Sequence, residues 1–221
     1  MATFILIHGG GGSAWDFHLL EPELAGRGHD VVAVNLPIDD EKADFPEHVD
    51  AVVKATGDRR DSDDIVVLGH SYGGFTAPIV AGELSARLLV MLTPMIPKPG
   101  ETPADWWGNT GFEDAKDLSE EEKFYNGVPA DIVAEAGSHG RNQVSAEWGQ
   151  PWPLEKWPDV PTKVLIARED RFFTPEFQRR VVQDRLGFAP DEIDGSHSVS
   201  LSHPRALADR LESYLTSDPA A

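Results

Sequence analysis

Ile65-Val66-Val67-Leu68-Gly69-His70-Ser71-Tyr72-Gly73-Gly74-Phe75 is the stretch on which the fold turns. Four apolar residues without alternation are the mark of a strand covered on both faces. The chain then leaves that strand through a serine fenced by glycines. Gly69-x-Ser71-x-Gly73 between a strand and a helix matches the nucleophile elbow, in which the serine takes a strained backbone conformation and its neighbours must lack bulk. Such a turn lifts the Ser71 hydroxyl to the start of the next helix and aims the Tyr72 amide at the same spot. A carbonyl oxygen gaining negative charge there meets a donor and a favourable helix dipole. The five-residue pattern alone also describes an ordinary glycine-rich turn. A serine hydroxyl is a poor nucleophile without a base and an orienting acid, so other positions have to supply them.

Working outward, the apolar runs Phe4 to Ile7, Val31 to Leu36, Leu88 to Leu92 and Val164 to Ala167 also read as buried strands, and Pro190 to Ile193 as a weak last one. Amphipathic segments lie between them: Trp15 to Gly26, Phe45 to Thr56, Tyr72 to Ala86, Pro175 to Leu186 and Pro204 to Leu215. Strand alternating with helix predicts an α/β fold, with about six mostly parallel strands, right-handed crossovers and helices on both faces. One domain is expected over residues 1–221, with 95–160 as a small helical cap inserted after a strand end. That insertion is rich in proline, carries five of the six tryptophans and has no convincing strand. It covers the carboxyl edge of the sheet, where open α/β sheets bind ligands.

The base and the acid follow in chain order. Asp170 comes three residues after the strand ending at Ala167, on the same sheet edge as Ser71, and His197 sits in Gly195-Ser196-His197 before the last helix. The order Ser, Asp, His is the one this architecture uses. Glu169 competes as the acid, but a shorter side chain just past the strand suits the geometry better, and Glu169 is expected to face solvent. His203, in Ser202-His203-Pro204, reads as a helix-entry residue. His29 and His48 lie in polar segments and read as surface residues. On the loop after the first strand stands His8-Gly9-Gly10-Gly11-Gly12. Its glycines let backbone amides approach a ligand and offer the second half of an oxyanion hole. His8 is expected to buttress this loop by hydrogen bonding.

Composition narrows the partners. The chain has 38 acidic against 19 basic residues and a net charge of −19, which repels nucleic acid and anionic membrane surfaces. It has no cysteine, hence no disulfide framework, thiolate nucleophile or cysteine-based metal site. The start, MATFILIHGG, reads as neither signal peptide nor anchor, and a cytoplasmic protein is expected. No cofactor and no metal are called for, and no dinucleotide fingerprint is present. Self-association into a homo-oligomer is left open.

With LIHGGGGSAW (Leu6 to Trp15), GHSYGG (Gly69 to Gly74), DRFFTPEFQ (Asp170 to Gln178) and GSHSV (Gly195 to Val199) in place, the chain resembles an α/β-hydrolase, of the branch containing plant hydroxynitrile lyases and methylesterases. The resemblance spans nearly the whole chain, the cap matching poorly. It implies Ser71 as nucleophile, His197 as base and Asp170 as acid, with the amides of Gly10 and Tyr72 holding the oxyanion. The family's sheet often begins with two further strands, whereas here the first apolar run starts at Thr3. In the lyases of this branch a lysine follows the catalytic histidine and a threonine takes the second position of the HGGGG loop. Here those positions hold Ser198 and Gly9, and neither supplies what a cyanohydrin needs. The expected activity is therefore that of a serine hydrolase, cleaving a small or medium apolar carboxylic ester through an acyl-enzyme. Trp106, Trp107, Trp148, Trp152 and Trp157 are candidates to line an apolar or aromatic substrate pocket. The alternatives are a ligand-binding protein with a slow or silent triad, a hydroxynitrile lyase, a perhydrolase or a thioesterase.

Overall fold

A computed structural model describes residues 1–61 and 64–216; the remaining seven positions of the expected domain lie outside the described residues. The elements run β1 (Thr3–Ile7), α1 (Leu20–Ala25), β2 (Asp30–Val34), α2 (Phe45–Thr56), β3 (Ile65–His70), α3 (Ala77–Glu83), β4 (Leu88–Leu92), α4 (Pro103–Thr110), α5 (Glu120–Phe124), α6 (Ala130–His139), β5 (Thr162–Ala167), α7 (Pro175–Leu186), β6 (Asp191–Ile193), α8 (Val199–Ser202) and α9 (Pro204–Thr216). Six strands form one sheet in the order β2-β1-β3-β4-β5-β6, and every pairing is parallel.

Alternation along the strands divides the core into two layers. Ile5, Ile7, Val67, Leu89, Met91, Val164 and Ile166 point to the side that packs against α2, α3 and α7. Phe4, Leu6, Val66, Leu68, Val90 and Leu165 point the other way, onto Leu20 and Leu24 of α1 and Leu207 and Leu211 of α9. Both faces of each central strand are thus buried, which is why the sequence shows solid apolar runs instead of alternation.

Two expected helices begin later than their amphipathic pattern suggests. Trp15 to Gly26 is split into a 3-10 turn at Ala14–Phe17 and α1, and Tyr72 to Ala86 into a 3-10 turn at Ser71–Gly74 and α3. A proline explains each break. Pro22 and Pro78 have no N–H for the carbonyl four residues back and their rings crowd it, so each is confined to the first turn of its helix.

The strand order reverses between β1 and β3, since the chain first steps to β2 on one side and then to β3 on the other. Ile7 is in register with Gly69, so the glycine loop after β1 and the turn after β3 emerge side by side at this switch point. That is where an open α/β sheet leaves room for a ligand. The described chain between β4 and β5 holds α4, α5, α6 and a 3-10 turn at Ala146–Gly149, with no strand.

Candidate active site

Backbone sterics build the turn around Ser71. Its φ is 50°, the left-handed region that non-glycine residues rarely enter. A Cβ on Gly69 would lie 2.4 Å from the Ala77 side chain, one on Gly73 2.6 Å from the His8 carbonyl, and one on Gly74 2.0 Å from the Met95 carbonyl. Each glycine is therefore obligatory, because backbone or a packed methyl stands where a side chain would begin. The Ser71 carbonyl in turn accepts the Met95 N–H at 2.9 Å, tying the turn to the segment after β4.

The sheet edge brings Asp170 and His197 together. Asp170 Oδ2 accepts the His197 Nδ1–H at 2.8 Å, in a pair where Asp170 is 3% and His197 2% exposed. A carboxylate can only accept, so the proton lies on Nδ1 and the lone pair on Nε2. Asp170 Oδ1 accepts the Phe172 and Phe173 amides at 2.9 and 2.8 Å, and Oδ2 also takes Gln178 Nε2 at 3.2 Å. Donors on both oxygens hold the charge in place without a cation. Glu169 is exposed, and its Oε2 accepts the Gly195 N–H at 2.9 Å. It pins the loop that carries His197 and leaves the imidazole to Asp170.

The His197 carbonyl is held as well, by His70 Nε2 at 3.0 Å and by Thr93 Oγ1 at 3.4 Å. Thr93 is fully buried with a φ of 40°, a costly conformation for a β-branched residue. His70 donates from Nε2, and burial pushes its pKa down to about 3. It is therefore neutral across the working range of pH. The rings of Phe124, Phe172 and Phe173 stand edge-on around His197 at 5.4, 5.2 and 5.3 Å.

On the glycine loop, His8 Nε2 accepts the Leu36 N–H at 3.1 Å, so its Nδ1–H donates to the Gly9 carbonyl at 2.7 Å. Burial lowers the His8 pKa to about 4, which keeps that tautomer neutral, and the buttress expected from the sequence is present. Gly11 N–H and Gly12 N–H are engaged by Gln143 Oε1 and the Gly9 carbonyl. Gly10 lies against Tyr72, since a Cβ on it would be 3.5 Å from the Tyr72 Cβ. A Cβ on Gly9 would come within 3.1 Å of the Ser71 Cβ and 3.3 Å of His70 Nδ1. A branched residue at position 9 would crowd the serine.

A cavity of about 330 Å³ unites these parts. Ser71, His197 and the glycines 9–12 line it, together with Asp16, Phe124, Tyr125 and Leu201. Burial raises the Asp16 pKa to about 6, against the opposing hydrogen bond from the Ser13 amide. Among the described residues, no three acidic or imidazole side chains gather as a metal ion would require, and no helix is long and apolar enough to cross a membrane.

A serine elbow, a buried histidine–aspartate pair and a glycine loop now stand at one switch point of a parallel sheet, and a family model described as the alpha/beta hydrolase family matches residues 4–210. The chain belongs to that family. Among relatives of this α/β hydrolase, alpha-hydroxynitrile lyase from Arabidopsis thaliana is 24% identical, with 96% of each chain covered. Polyneuridine aldehyde esterase from Rauvolfia serpentina is 28% identical, with 92% of each chain covered. A crystal structure of polyneuridine aldehyde esterase superposes with a TM-score of 0.82 at 20% identity, over 97% of this chain and 99% of that one.

Other expectations are corrected. None of the five cap-region tryptophans lines the cavity over Ser71. Trp106 and Trp152 are buried in the core, their indole N–H groups donating to the carbonyls of Ile96 and Phe75 at 3.0 and 2.9 Å. They pack in the core layer that also holds Phe75 and Phe173, the commoner fate of a large ring with one donor. His48 is fully buried, not a surface residue. It follows Phe45 at helical spacing and precedes Val52 and Thr56 on the buried face of α2, a periodicity hidden by its acidic neighbours. His29 is also turned inward, against the ring of Phe4 and the Ala2 N–H. The sequence assigns no role to Phe124, Phe172 and Phe173, although the latter two stand in the DRFFTPEFQ motif; the structure sets all three rings against His197.

Proposed function

We propose that this α/β hydrolase is a serine esterase acting on small to medium apolar carboxylic esters. The observation that carries the reading is the buried His197–Asp170 hydrogen bond of 2.8 Å on the same cavity wall as Ser71. His197 Nε2 takes the Ser71 proton as the hydroxyl attacks the ester carbonyl, Asp170 steadies the imidazolium, and the amides of Gly10 and Tyr72 hold the oxyanion. Collapse of the tetrahedral intermediate expels the alcohol, which takes the proton back from His197. Water activated by the same imidazole then cleaves the acyl-enzyme.

The cavity supports a substrate of modest size, and Phe124 and Leu201 give it apolar walls beside the carboxylate of Asp16. Relatives named as esterases support ester hydrolysis. One relative named as a hydroxynitrile lyase raises the other chemistry. Gly9 and Ser198 argue against it here: Gly9 offers no hydroxyl to position a cyanohydrin, a Cβ there would already press on Ser71 and His70 at 3.1 and 3.3 Å, and a neutral serine offers no ammonium for a departing cyanide. The test compares hydrolysis of p-nitrophenyl esters of increasing acyl length with cleavage of mandelonitrile, using Ser71→Ala as the blank. Ester turnover that peaks at short to medium chains, with little cyanide released, is expected. Faster release of cyanide than of nitrophenol would overturn the hydrolase reading.

A further inference from the structure

The segment between β4 and β5 sends one carboxylate into the interior. Glu147, on the 3-10 turn Ala146–Gly149, is completely buried, and among the described residues no lysine or arginine pairs with it. Its Oε1 accepts the Tyr72 hydroxyl at 2.9 Å and Gln143 Nε2 at 2.8 Å. Its Oε2 lies 3.7 Å from Nε2 of the equally buried His48, outside hydrogen-bond distance. Gln143 uses its other end on the glycine loop, where Oε1 accepts the Gly11 N–H at 3.4 Å. Burial, followed by the charge and hydrogen bond of Glu147, pushes the Tyr72 phenol far above its ordinary pKa, so it remains a donor at every working pH.

We propose that Glu147 and Gln143 are positioning residues which clamp the two arms of the oxyanion hole at a fixed separation. The inference rests on the assignment of the Gly10 and Tyr72 amides to that hole. Tyr72 carries one arm and is grasped by its hydroxyl, and Gly10 carries the other and is grasped through its neighbour Gly11. A single buried carboxylate joins the two grips. Burial of such a group is costly, and the His48 imidazole, whose pKa burial lowers against the pull of Glu147, meets it only at 3.7 Å, whereas fixing two donors against the place where charge develops gives it a use. Oxyanion stabilisation depends on donors set beforehand at the right distance, and small displacements of such groups are expensive in rate. Gln143 and Glu147 belong to the cap segment, so the clamp also makes the hole depend on that segment being seated.

Tyr72→Phe tests the clamp because it removes one oxygen remote from the reacting atoms and leaves the Tyr72 amide in place. Gln143→Met cuts the other grip. Turnover of p-nitrophenyl acetate should fall about ten-fold in each variant, with KM within about two-fold of wild type. Affinity for an aryl trifluoromethyl ketone, whose adduct with Ser71 places an oxyanion in the hole, should weaken by the same factor as kcat. Glu147→Gln retains an acceptor for the Tyr72 hydroxyl and should lose less than Tyr72→Phe. A role confined to packing would lower the melting temperature without this matched loss in kcat and in ketone affinity. Folded Tyr72→Phe and Gln143→Met proteins with unchanged kcat, or with reduced kcat but unchanged ketone affinity, would overturn the clamp. Should Tyr72→Phe fail to fold, Gln143→Met decides between the two outcomes by the same readouts. Wild-type protein that neither binds the ketone nor turns over ester would overturn the esterase reading, and the clamp with it.

Discussion

The turn around Ser71 and the segment between β4 and β5 face each other across one cavity but are held in opposite ways. Every residue from Ile65 to Pro78 is buried, and the turn's glycines are fixed by contacts of 2.0 to 2.6 Å that any Cβ would make. The β4–β5 segment is mostly exposed or half-buried. A few deep anchors hold it: Trp152 donates to the Phe75 carbonyl, Glu147 accepts the Tyr72 hydroxyl, and the ring of Trp106 packs against Phe173 and Phe177. Backbone sterics allow one arrangement at the turn, while the β4–β5 segment keeps its place through side-chain pairings that other residues could supply. Substitutions should therefore be severe on one side and mild on the other.

The largest effect expected is on rate. Asp170→Asn should reduce ester turnover by on the order of 10³ to 10⁴, because an amide cannot hold His197 in the Nδ1–H tautomer. Glu169→Gln, which touches only the Gly195 N–H, should remain within about ten-fold of wild type. Equal losses from the two, measured as kcat/KM on one ester, would erase the distinction between them.

Stability comes next. Gly74→Ala should cost on the order of 3 to 5 kcal/mol, since its Cβ would stand 2.0 Å from the Met95 carbonyl and the backbone must shift to relieve the overlap. In α6, a Cβ on Gly137 would meet nothing within 4 Å, and Gly137→Ala should stabilise by about 0.5 to 1 kcal/mol. Urea unfolding of both variants reads the contrast directly. Similar penalties at the two sites would contradict the steric account of the turn.

An intermediate effect, with a signature in pH, is expected at Asp16, where the glycine loop meets the cavity. Burial raises its pKa from 3.8 to about 6, so between these values the folded protein holds a proton that the unfolded chain has released. Stability from this group is full below pH 3.8 and is lost as pH rises through 6, by at most about 3 kcal/mol. Asp16→Asn does not titrate. Its melting temperature relative to wild type should rise between pH 4 and pH 7, and a constant difference would show that the carboxylate is not desolvated as described.

The same division governs what could be read from the sequence. Glycine spacing and apolar runs are local consequences of backbone geometry, so the strands, Ser71, and α2 and α7 with their Phe45–Thr56 and Pro175–Leu186 limits were legible. Asp170 and His197 could be located because each follows a strand end by a few residues. The helix breaks at Pro22 and Pro78 were missed although the prolines are plain, because amphipathic periodicity runs across them. The group of buried His48, Glu147 and Tyr72 with half-buried Gln143 could not be read at all. Its members come from α2, the β4–β5 segment and the turn, and only tertiary packing makes neighbours of four polar residues scattered over about a hundred positions of chain.

Covalent labelling of Ser71 is the most direct test of the central claim that a strained serine at the switch point is an activated nucleophile. Native protein would be treated with a fluorophosphonate, digested, and the adduct located by mass spectrometry, alongside the Ser71→Ala and His197→Ala variants. The account predicts a single adduct on Ser71, none in Ser71→Ala, and labelling slowed by at least about a hundred-fold in His197→Ala. An unlabelled Ser71 in folded protein, or labelling at an undiminished rate without His197, would contradict it.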